Sequence, residues 1–320
     1  MAELPPMQYR MLGRTGLRVS LLGLGTGGPS LFGQSTGVNQ DDATRLVRRA
    51  LDIGVNFIDS SPQYENSEGR LGEALDGVPR DRYVLATKFV YEREGVLADP
   101  AEVVRSVEGS LRRLRTDCID LMQFHGLKPP HYETAIDRLM PTVLRLRDAG
   151  KFRYVGITEN YREDSAHQTL TKAVIDHRVE AVMVAYNLLG PSADQALLPA
   201  CRKREVGVIG MVAVRRSLSR PELLRQRLAD AIAKGVVDGE LLPDRVNPLG
   251  WLLQGEVDSL PAAGYKFAAG HPVVATVLTG TASISHLEAN AVAILGPPLP
   301  IEHMDRLRRI FGSVREPLGQ

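Results

Sequence analysis

The hydrophobic positions along the chain follow two alternating patterns. Short runs rich in Val, Ile and Leu predict buried strands, and the longer segments between them repeat apolar residues at helical spacing. Strands are predicted near residues 19–24, 56–59, 83–88, 119–125, 152–158, 181–186, 207–212 and 274–278. Helices are predicted at 41–52, 67–75, 100–114, 133–149, 164–175, 193–204 and 285–295. The pattern therefore predicts a repeated strand–helix unit of the α/β class.

The spacing of the predicted strands indicates their arrangement. Successive strands start about 26 to 37 residues apart, close to the length of a βα unit, and only the last step is about twice as long. Eight such units predict a (β/α)8 TIM barrel rather than an open doubly wound sheet. Because no change in composition divides the chain, residues 1–320 are interpreted as a single domain.

Two segments fall outside this repeat. Segment 214–271, the long loop after the seventh strand, has room for a helix and an insertion. We interpret it as a candidate specificity loop at the mouth of the barrel. Near the start of the chain, Gly13 and Gly16 separate two short apolar stretches and predict an N-terminal β-hairpin that closes the barrel floor.

Composition narrows the class of function. The 320 residues carry 39 Lys and Arg against 38 Asp and Glu, and this balance argues against a dedicated nucleic-acid or membrane-surface protein. Cys118 and Cys201 are far apart and lack the spacing of metal ligands, so neither a disulfide nor a metal site is expected. The sequence also lacks an apolar run long enough for a signal peptide or a membrane span. We therefore expect a cytoplasmic protein that acts on a small molecule.

A glycine-rich run follows the first predicted strand. Residues 23–28 read Gly-Leu-Gly-Thr-Gly-Gly, which formally matches the dinucleotide fingerprint G-x-G-x-x-G. That fingerprint requires a helix to begin at once, whereas Pro29 comes next and helical periodicity starts only near Asp41. The run is better interpreted as a strand end that another group approaches closely.

Four polar residues stand at or just after the ends of neighbouring predicted strands. Asp59 ends the second strand, Tyr64 follows in its loop, Lys88 ends the third and His125 ends the fourth. Singly they could be a helix cap, a half-buried loop aromatic, a solvated strand end and a core histidine. Since the carboxyl ends of barrel strands meet at one mouth, we expect the four to lie together.

This set of residue types favours proton delivery by a tyrosine. A free tyrosine has a pKa near 10, and a nearby Lys88 ammonium, held by Asp59, would lower the pKa of Tyr64. A neutral His125 can donate a hydrogen bond to a carbonyl oxygen and so orient it. Since no side chain supplies a hydride, a cofactor would have to supply it.

The residues around these positions resemble the aldo-keto reductase family. The resemblance lies in GVNFIDSSPQY (54–64), LATK (85–88), IDLMQFH (119–125) and GKFRYVGITEN (150–160). It extends to YRMLGRTGLRVSLLGLGTG (9–27) and to the final LTGTASISHLEAN (278–290). It thus covers, in order, nearly the whole chain.

The resemblance implies both a fold and a reaction. It implies a barrel that binds NADP(H) or NAD(H) without a Rossmann domain, and a catalytic tetrad of Asp59, Tyr64, Lys88 and His125. Tyr64 would be the general acid, Lys88 and Asp59 would tune it, and His125 would orient the substrate carbonyl. Hydride would pass between the nicotinamide and a small-molecule carbonyl or alcohol.

The resemblance also implies a set of cofactor contacts. They are Gly25, Thr26, Gly27, Asp59, Thr158, Glu159, Asn160, Met211, Val212, Arg215, Gly280, Thr281, Ser283, His286 and Asn290. Four positions depart from the family's pattern. Thr158-Glu159 replaces a common Ser-Asn pair, Met183 replaces a glutamine, and Met211 replaces an aromatic residue that stacks on the nicotinamide. The alternative for Met183 and Met211 is ordinary barrel core.

The choice between NADP(H) and NAD(H) is unresolved in the sequence. Gly280, Ala282 and His286 stand where the family often places basic residues for the 2′-phosphate, and their lack of a permanent charge favours NAD(H). Against this, Arg215, Arg216 and Arg220 could form a basic patch that binds phosphate. The alternative for the patch is a solvated loop.

Two other functions are considered. A cofactor-binding regulatory subunit could share the same fold. Lys88 could instead act as a Schiff-base nucleophile, but Asp59 would keep it charged, the wrong state for that chemistry. The substrate, the physiological direction and the oligomeric state are left open, and Trp251 in the 214–271 segment could line a pocket or simply pack.

Overall fold

The computed structural model describes residues 4–319, and its strands confirm the predicted barrel. They are β1 (Tyr9–Met11), β2 (Arg18–Ser20), β3 (Leu22–Gly25), β4 (Phe57–Asp59), β5 (Val84–Phe89), β6 (Glu92–Arg93), β7 (Val96–Leu97), β8 (Ile119–Leu127), β9 (Phe152–Glu159), β10 (Ala181–Ala185), β11 (Gly207–Met211) and β12 (Val274–Gly280). Eight of them close a barrel of parallel pairs in the order β10-β11-β12-β3-β4-β5-β8-β9. The two short hairpins, β1–β2 and β6–β7, lie outside this sheet.

Ten α-helices lie within the described residues. They are α1 (Gln40–Asp52), α2 (Ser67–Ala74), α3 (Pro100–Leu114), α4 (Tyr132–Asp148), α5 (Gln168–Ile175), α6 (Leu197–Arg204), α7 (Pro221–Ala233), α8 (Leu260–Gly270), α9 (Ile284–Leu295) and α10 (Ile301–Phe311). Helix α10 was not predicted. Segment 214–271, expected to hold one helix of unstated bounds and an insertion, contains two helices, α7 and α8, and three short 3-10 turns.

Local side-chain chemistry sets where the helices begin. Asn39 accepts a hydrogen bond from the Asp42 amide at the start of α1, and Asp99 with Glu102 forms a capping box before α3. The prediction that α5 starts at Asp164 was wrong. The Asp164 carboxylate instead accepts hydrogen bonds from the Gln168 and Thr169 amides, so it caps a helix that starts four residues later.

The first predicted strand, 19–24, is two strands in the structure. Arg18–Ser20 pairs with Tyr9–Met11 in the hairpin, and Leu22–Gly25 joins the barrel. The Ser20 hydroxyl donates to the Leu22 carbonyl at the junction. Both pieces are largely buried, so their apolar residues read as one continuous run in the sequence.

The N-terminal hairpin closes the floor of the barrel, as predicted. Leu12, Leu17 and Val19 from the hairpin belong to the interior cluster of the barrel. Gly13 has a positive φ of 53°, and an added Cβ there would lie 2.3 Å from the Gly207 amide nitrogen. Only glycine allows so close an approach in that conformation.

Outside the barrel, a second and larger core packs the strands against the helices. Trp251 lies in this layer, with its ring against His303 and the Arg306 guanidinium, so it packs and does not line the mouth. Within residues 4–319, no helix is long and apolar enough to cross a membrane.

A buried carboxylate joins three consecutive elements of the barrel wall. Glu68 on α2 is 1% exposed. It accepts hydrogen bonds from the Thr87 hydroxyl on β5 at 2.6 Å and from Arg113 Nε on α3 at 2.8 Å. Its removal would leave Thr87 and Arg113 without this partner and open a void.

We predict that Glu68→Ala lowers the free energy of unfolding by about 2 kcal/mol, because the buried Thr87 hydroxyl loses its partner and a void opens. Urea denaturation followed by circular dichroism measures it. Glu73→Ala is the matched control, since Glu73 is an exposed glutamate on the same helix. Equal stabilities of the two variants would show that the buried contacts of Glu68 contribute little.

Candidate active site

A buried ion pair lies where β4 and β5 end side by side. Lys88 Nζ is 2.5 Å from Asp59 Oδ2 and donates a second hydrogen bond to the Ser60 carbonyl at 2.7 Å. The other oxygen, Asp59 Oδ1, accepts from Gln123 Nε2 at 3.1 Å. The Lys88 and Asp59 residues are 1% and 2% exposed, so the pair is shielded from water.

The pair keeps Lys88 charged. Burial alone would lower the pKa of Lys88, but attraction to Asp59 and to Tyr64 more than offsets it, so the pKa of Lys88 is raised. An ammonium cannot attack a carbonyl carbon, which disfavours the Schiff-base alternative.

Tyr64 lies against this pair at the mouth of the barrel. Its ring centroid is 4.9 Å from Lys88 Nζ, and its hydroxyl is 3.5 Å from His125 Nε2. Gly27 packs on the ring, since an added Cβ at that position would lie 2.6 Å from Tyr64 Cε2. The four residues expected to meet at one mouth do meet there.

The expected lowering of the Tyr64 pKa is corrected by the structure. Burial raises the pKa of Tyr64 and outweighs the lowering caused by the Lys88 charge. Tyr64 therefore remains a protonated donor at neutral pH, with Lys88 in place to stabilise the tyrosinate when the proton leaves.

His125 is neutral, as expected. Burial, assisted by repulsion from Lys88, lowers the pKa of His125 to about 3. Ser61 Oγ accepts a hydrogen bond from the Gln63 amide and lies 3.0 Å from His125 Nδ1, close enough to donate its own proton to that nitrogen. In the tautomer that accepts this bond, the ring proton is on Nε2, the nitrogen nearest Tyr64, where it can be donated to a substrate oxygen.

Two cavities meet at the tetrad. The first, of about 400 Å³, is lined by Gln63, Tyr64, Lys88, Val90, Tyr91, Glu92, His125, Gly126, Lys128, Thr158, Glu159, Asn160, Tyr161, Arg162, Met183 and Met211. The second, of about 430 Å³, is lined by Gly25, Gly27, Gly28, Pro29, Asp59, Tyr64, Met183, Met211, Val212, Ala213, Val214, Tyr265, Leu278 and Gly280. Tyr64, Met183 and Met211 border both, so the tetrad lies between two adjoining spaces.

Nine of the fifteen expected cofactor contacts line these cavities. Gly25, Gly27, Asp59, Met211, Val212 and Gly280 line the second, and Thr158, Glu159, Asn160 and again Met211 line the first. Thr26 does not, because its fully buried hydroxyl donates to Ser60 Oγ. Met183 and Met211 are thus cavity walls, although both also belong to or pack on the interior core.

The remaining expected contacts lie at the start of α9 or on its surface. Ser283 is the N-cap of α9, and its amide donates to the Thr281 hydroxyl. His286 is exposed on the first turn, and Asn290, further along, borders a separate cavity of about 550 Å³ between α8 and α9. A nearby carboxylate, Glu288, is bound by Arg49 at 2.6 Å.

The proposed basic patch after the seventh strand does not exist as one surface. Arg216 and Arg220 are exposed, whereas Arg215 is 2% exposed with its guanidinium over the Tyr161 ring. Arg215 Nε donates to the Leu318 carbonyl, while Nη1 and Nη2 are buried without a hydrogen-bond partner. A 3-10 turn begins at Arg216, directly after Arg215, and neither charge nor periodicity indicates that the two neighbours differ in burial.

Sequence reasoning missed two residues that hold the tetrad. Gln123 and Ser61 bind Asp59 and His125 respectively. Gln123 stands two residues before His125 on β8, and strand alternation places residues two apart on the same face. That periodicity could have identified Gln123, whereas the contact of Ser61 depends on the course of the loop. Tyr265, from α8, was missed because the bounds of α8 were not predicted.

The second cavity combines bare backbone with apolar side chains. Gly27 and Gly280 present bare backbone, and an added Cβ on Gly280 would lie 3.2 Å from the Gly27 carbonyl oxygen. Val212 has a positive φ of 57°, a conformation that costs a β-branched residue about 1–3 kcal/mol and is typical of functional sites. The residues present therefore fit a dinucleotide that approaches the backbone closely.

Comparison with known proteins agrees with this geometry. The model of the Aldo/keto reductase family matches residues 22–311. The solved aldo-keto reductase AKR11C1 from Bacillus halodurans superposes in its holo form with a TM-score of 0.73 at 26% identity, over 96% of this chain and 98% of that one. Its apo form gives a TM-score of 0.69 at 25% identity, over the same shares of the two chains.

A curated relative is similar over a shorter stretch. The L-galactose dehydrogenase of Arabidopsis thaliana is 37% identical over 157 residues, which are 48% of this chain and 48% of that protein. The match thus spans about half the length of the curated relative. Since the family match covers most of the chain and includes the strands that carry the tetrad, the protein belongs to the aldo-keto reductase family.

Proposed function

We propose that the protein interconverts a carbonyl and an alcohol, with Tyr64 as the general acid. As an aldo-keto reductase it is an oxidoreductase that uses NAD(P)H. The observation that carries the finer proposal is the approach of the Tyr64 hydroxyl to His125 Nε2, 3.5 Å apart, directly beside the buried Lys88–Asp59 pair.

Each residue of the tetrad has a distinct task in carbonyl reduction. A bound nicotinamide supplies the hydride, which adds to the carbonyl carbon while the carbonyl oxygen gains electron density. His125 holds that oxygen through its Nε2 proton, and Tyr64 transfers its hydroxyl proton to it. Lys88 stabilises the tyrosinate that results, and Asp59 keeps Lys88 in place. In alcohol oxidation, the same groups act in reverse.

The protein's own residues also explain how the two reactants would be separated. Gly27, Val212 and Gly280 border the second cavity, where a dinucleotide would lie against the backbone. The first cavity, on the other side of Tyr64, would hold the substrate. Met183 and Met211 form apolar walls to both, which limits water at the site of hydride transfer.

The lining of the first cavity favours a polyhydroxylated substrate. Gln63, Glu92, Lys128, Asn160 and Arg162 place polar groups around it. Such groups can hydrogen-bond to the hydroxyls of a polyol, whereas a steroid-like or aromatic ketone would leave them without partners. The L-galactose dehydrogenase relative, named for a sugar, is in keeping with this substrate class. We further propose that the reaction takes place in the cytoplasm, because Cys118 and Cys201 are both unpaired and a reducing compartment keeps thiols in that state.

Removing the Tyr64 hydroxyl tests the reaction. We predict that Tyr64→Phe lowers kcat by about 10²–10⁴-fold and leaves cofactor affinity nearly unchanged, because only the proton donor is lost. Stopped-flow or steady-state absorbance at the nicotinamide band measures turnover. Tyr83→Phe is the control, since Tyr83 precedes the opposite end of the strand that carries Lys88. Full activity of Tyr64→Phe would refute the assignment.

The substrate class has its own test. We predict that aldoses and sugar alcohols are turned over with kcat/KM at least about tenfold above that of aromatic aldehydes, since only they satisfy the polar lining. A panel of each class, measured in both directions with NAD(H) and NADP(H), gives the ranking. A preference for aromatic aldehydes would exclude the polyhydroxylated class.

Cofactor preference can be tested at the start of α9. Segment 278–290 contains no Arg or Lys, and Arg49 nearby is already bound to Glu288. We predict that Ala282→Arg raises affinity for NADP(H) relative to NAD(H) by about tenfold, because it adds a cation for the 2′-phosphate. Fluorescence titration gives the two dissociation constants. Ala233→Arg, exposed on α7, adds the same charge elsewhere and should leave the ratio unchanged.

A further inference from the structure

Beside the first cavity, three buried side chains form a hydrogen-bonded chain that the tetrad does not use. Glu159 Oε2 lies 2.7 Å from His167 Nδ1, and His167 Nε2 lies 2.8 Å from Ser192 Oγ. The three residues are 4%, 2% and 5% exposed. We call them the Glu159 relay.

The backbone of His167 is strained in a way that serves this contact. His167 has a positive φ of 58° at the N-cap position of α5, yet its side chain makes no capping hydrogen bond. Asp164 caps the helix instead, and the His167 ring stacks on Tyr161 at 5.9 Å between centroids. A non-glycine residue in this conformation costs about 1–3 kcal/mol, so its surroundings must hold it there.

The relay fixes both oxygens of the Glu159 carboxylate. The Ala185 amide donates to Oε1 at 2.6 Å, and His167 lies at hydrogen-bond distance from Oε2. Burial raises the pKa of Glu159, whereas these hydrogen bonds favour the ionised form. Each oxygen retains a further acceptor position. Glu159 also lines the same cavity as Tyr64 and His125, so its charge acts where the reaction would take place.

Other charges near this cavity are already engaged. Lys88 is paired with Asp59 at 2.5 Å, and Lys128 is paired with Glu92 at 3.2 Å. Arg215 acts on Glu159 at longer range, but its guanidinium lies over the Tyr161 ring. An ionised Glu159 adds a negative charge to this wall of the cavity.

We propose that Glu159, positioned by His167 and Ser192, determines which oxidation state of the nicotinamide the protein binds more tightly. This inference rests on the proposed function, in which the nicotinamide lies beside Tyr64, Met183 and Met211, where the two cavities adjoin; Glu159 lines the first of these cavities. The oxidised ring is cationic and the reduced ring is neutral, so a fixed carboxylate in a site of low dielectric stabilises the oxidised form selectively.

The test is the ratio of two dissociation constants. The wild-type protein and Glu159→Gln are titrated calorimetrically with NAD+, NADH, NADP+ and NADPH. Glutamine keeps the shape and an acceptor for the Ala185 amide but removes the charge. The ratio of Kd for the oxidised form to Kd for the reduced form should rise by about tenfold. Glu180→Gln is the control, because Glu180 also accepts from a backbone amide, that of Val155, at the opposite end of the barrel.

Two changes at His167 separate positioning from packing. Asn tolerates the left-handed conformation and can place a donor near the Nδ1 position, so His167→Asn should retain the wild-type ratio to within about twofold. His167→Gly fits the same backbone without a donor, so burial should protonate Glu159 and shift the ratio in the direction of Glu159→Gln. Thermal melting of each variant verifies folding.

The outcomes distinguish this inference from the function on which it rests. An unchanged ratio in folded Glu159→Gln overturns the role of Glu159 and leaves the proposed reaction intact. If Glu159→Gln does not fold, the role of Glu159 is overturned when His167→Gly and His167→Asn give the same ratio of Kd for the oxidised form to Kd for the reduced form. Failure of the wild-type protein to bind any of the four dinucleotides overturns the proposed function itself.

Discussion

The buried pair of Lys88 and Asp59 is the interaction on which the candidate site depends. Two opposite charges this far from water are stable only with close geometry and further hydrogen bonds, which Ser60 and Gln123 supply. The pair holds the ends of β4 and β5 and presents a cation to the face of Tyr64. Burial lowers the pKa of His125, and the same cation lowers it further. The Lys88 charge thus acts on both Tyr64 and His125, the two residues proposed to contact the substrate oxygen.

Two residues with a strained backbone lie beside the same mouth. Val212 and His167 both adopt left-handed conformations, although neither is a glycine. Val212 borders the second cavity, and His167 supports Glu159 at the first. The barrel can carry this cost because two large apolar cores, inside and outside the strands, stabilise the fold elsewhere. The two strained residues thus lie at the cavities, where the proposed reaction takes place.

Several features of the structure could be predicted from the sequence, and others could not. The eight barrel strands were located because buried parallel strands produce continuous apolar runs. For segment 214–271 the sequence predicted one helix without bounds, because the prediction rested on the length of the segment, and the structure has two, α7 and α8. The pKa of Tyr64 was predicted in the wrong direction, since a sequence shows the neighbouring charge of Lys88 but not the depth of burial.

The sequence by itself determined the barrel, the family resemblance and the four tetrad residues, because these depend on periodicity and on residue types at strand ends. The tertiary structure alone decided the partners of those residues. Arg215 is buried whereas its neighbour Arg216 is exposed. Glu159 is hydrogen-bonded to His167 and to the Ala185 amide, which belong to other parts of the chain. Such contacts depend on how loops turn and how deeply side chains are buried, and no local pattern in the chain encodes either.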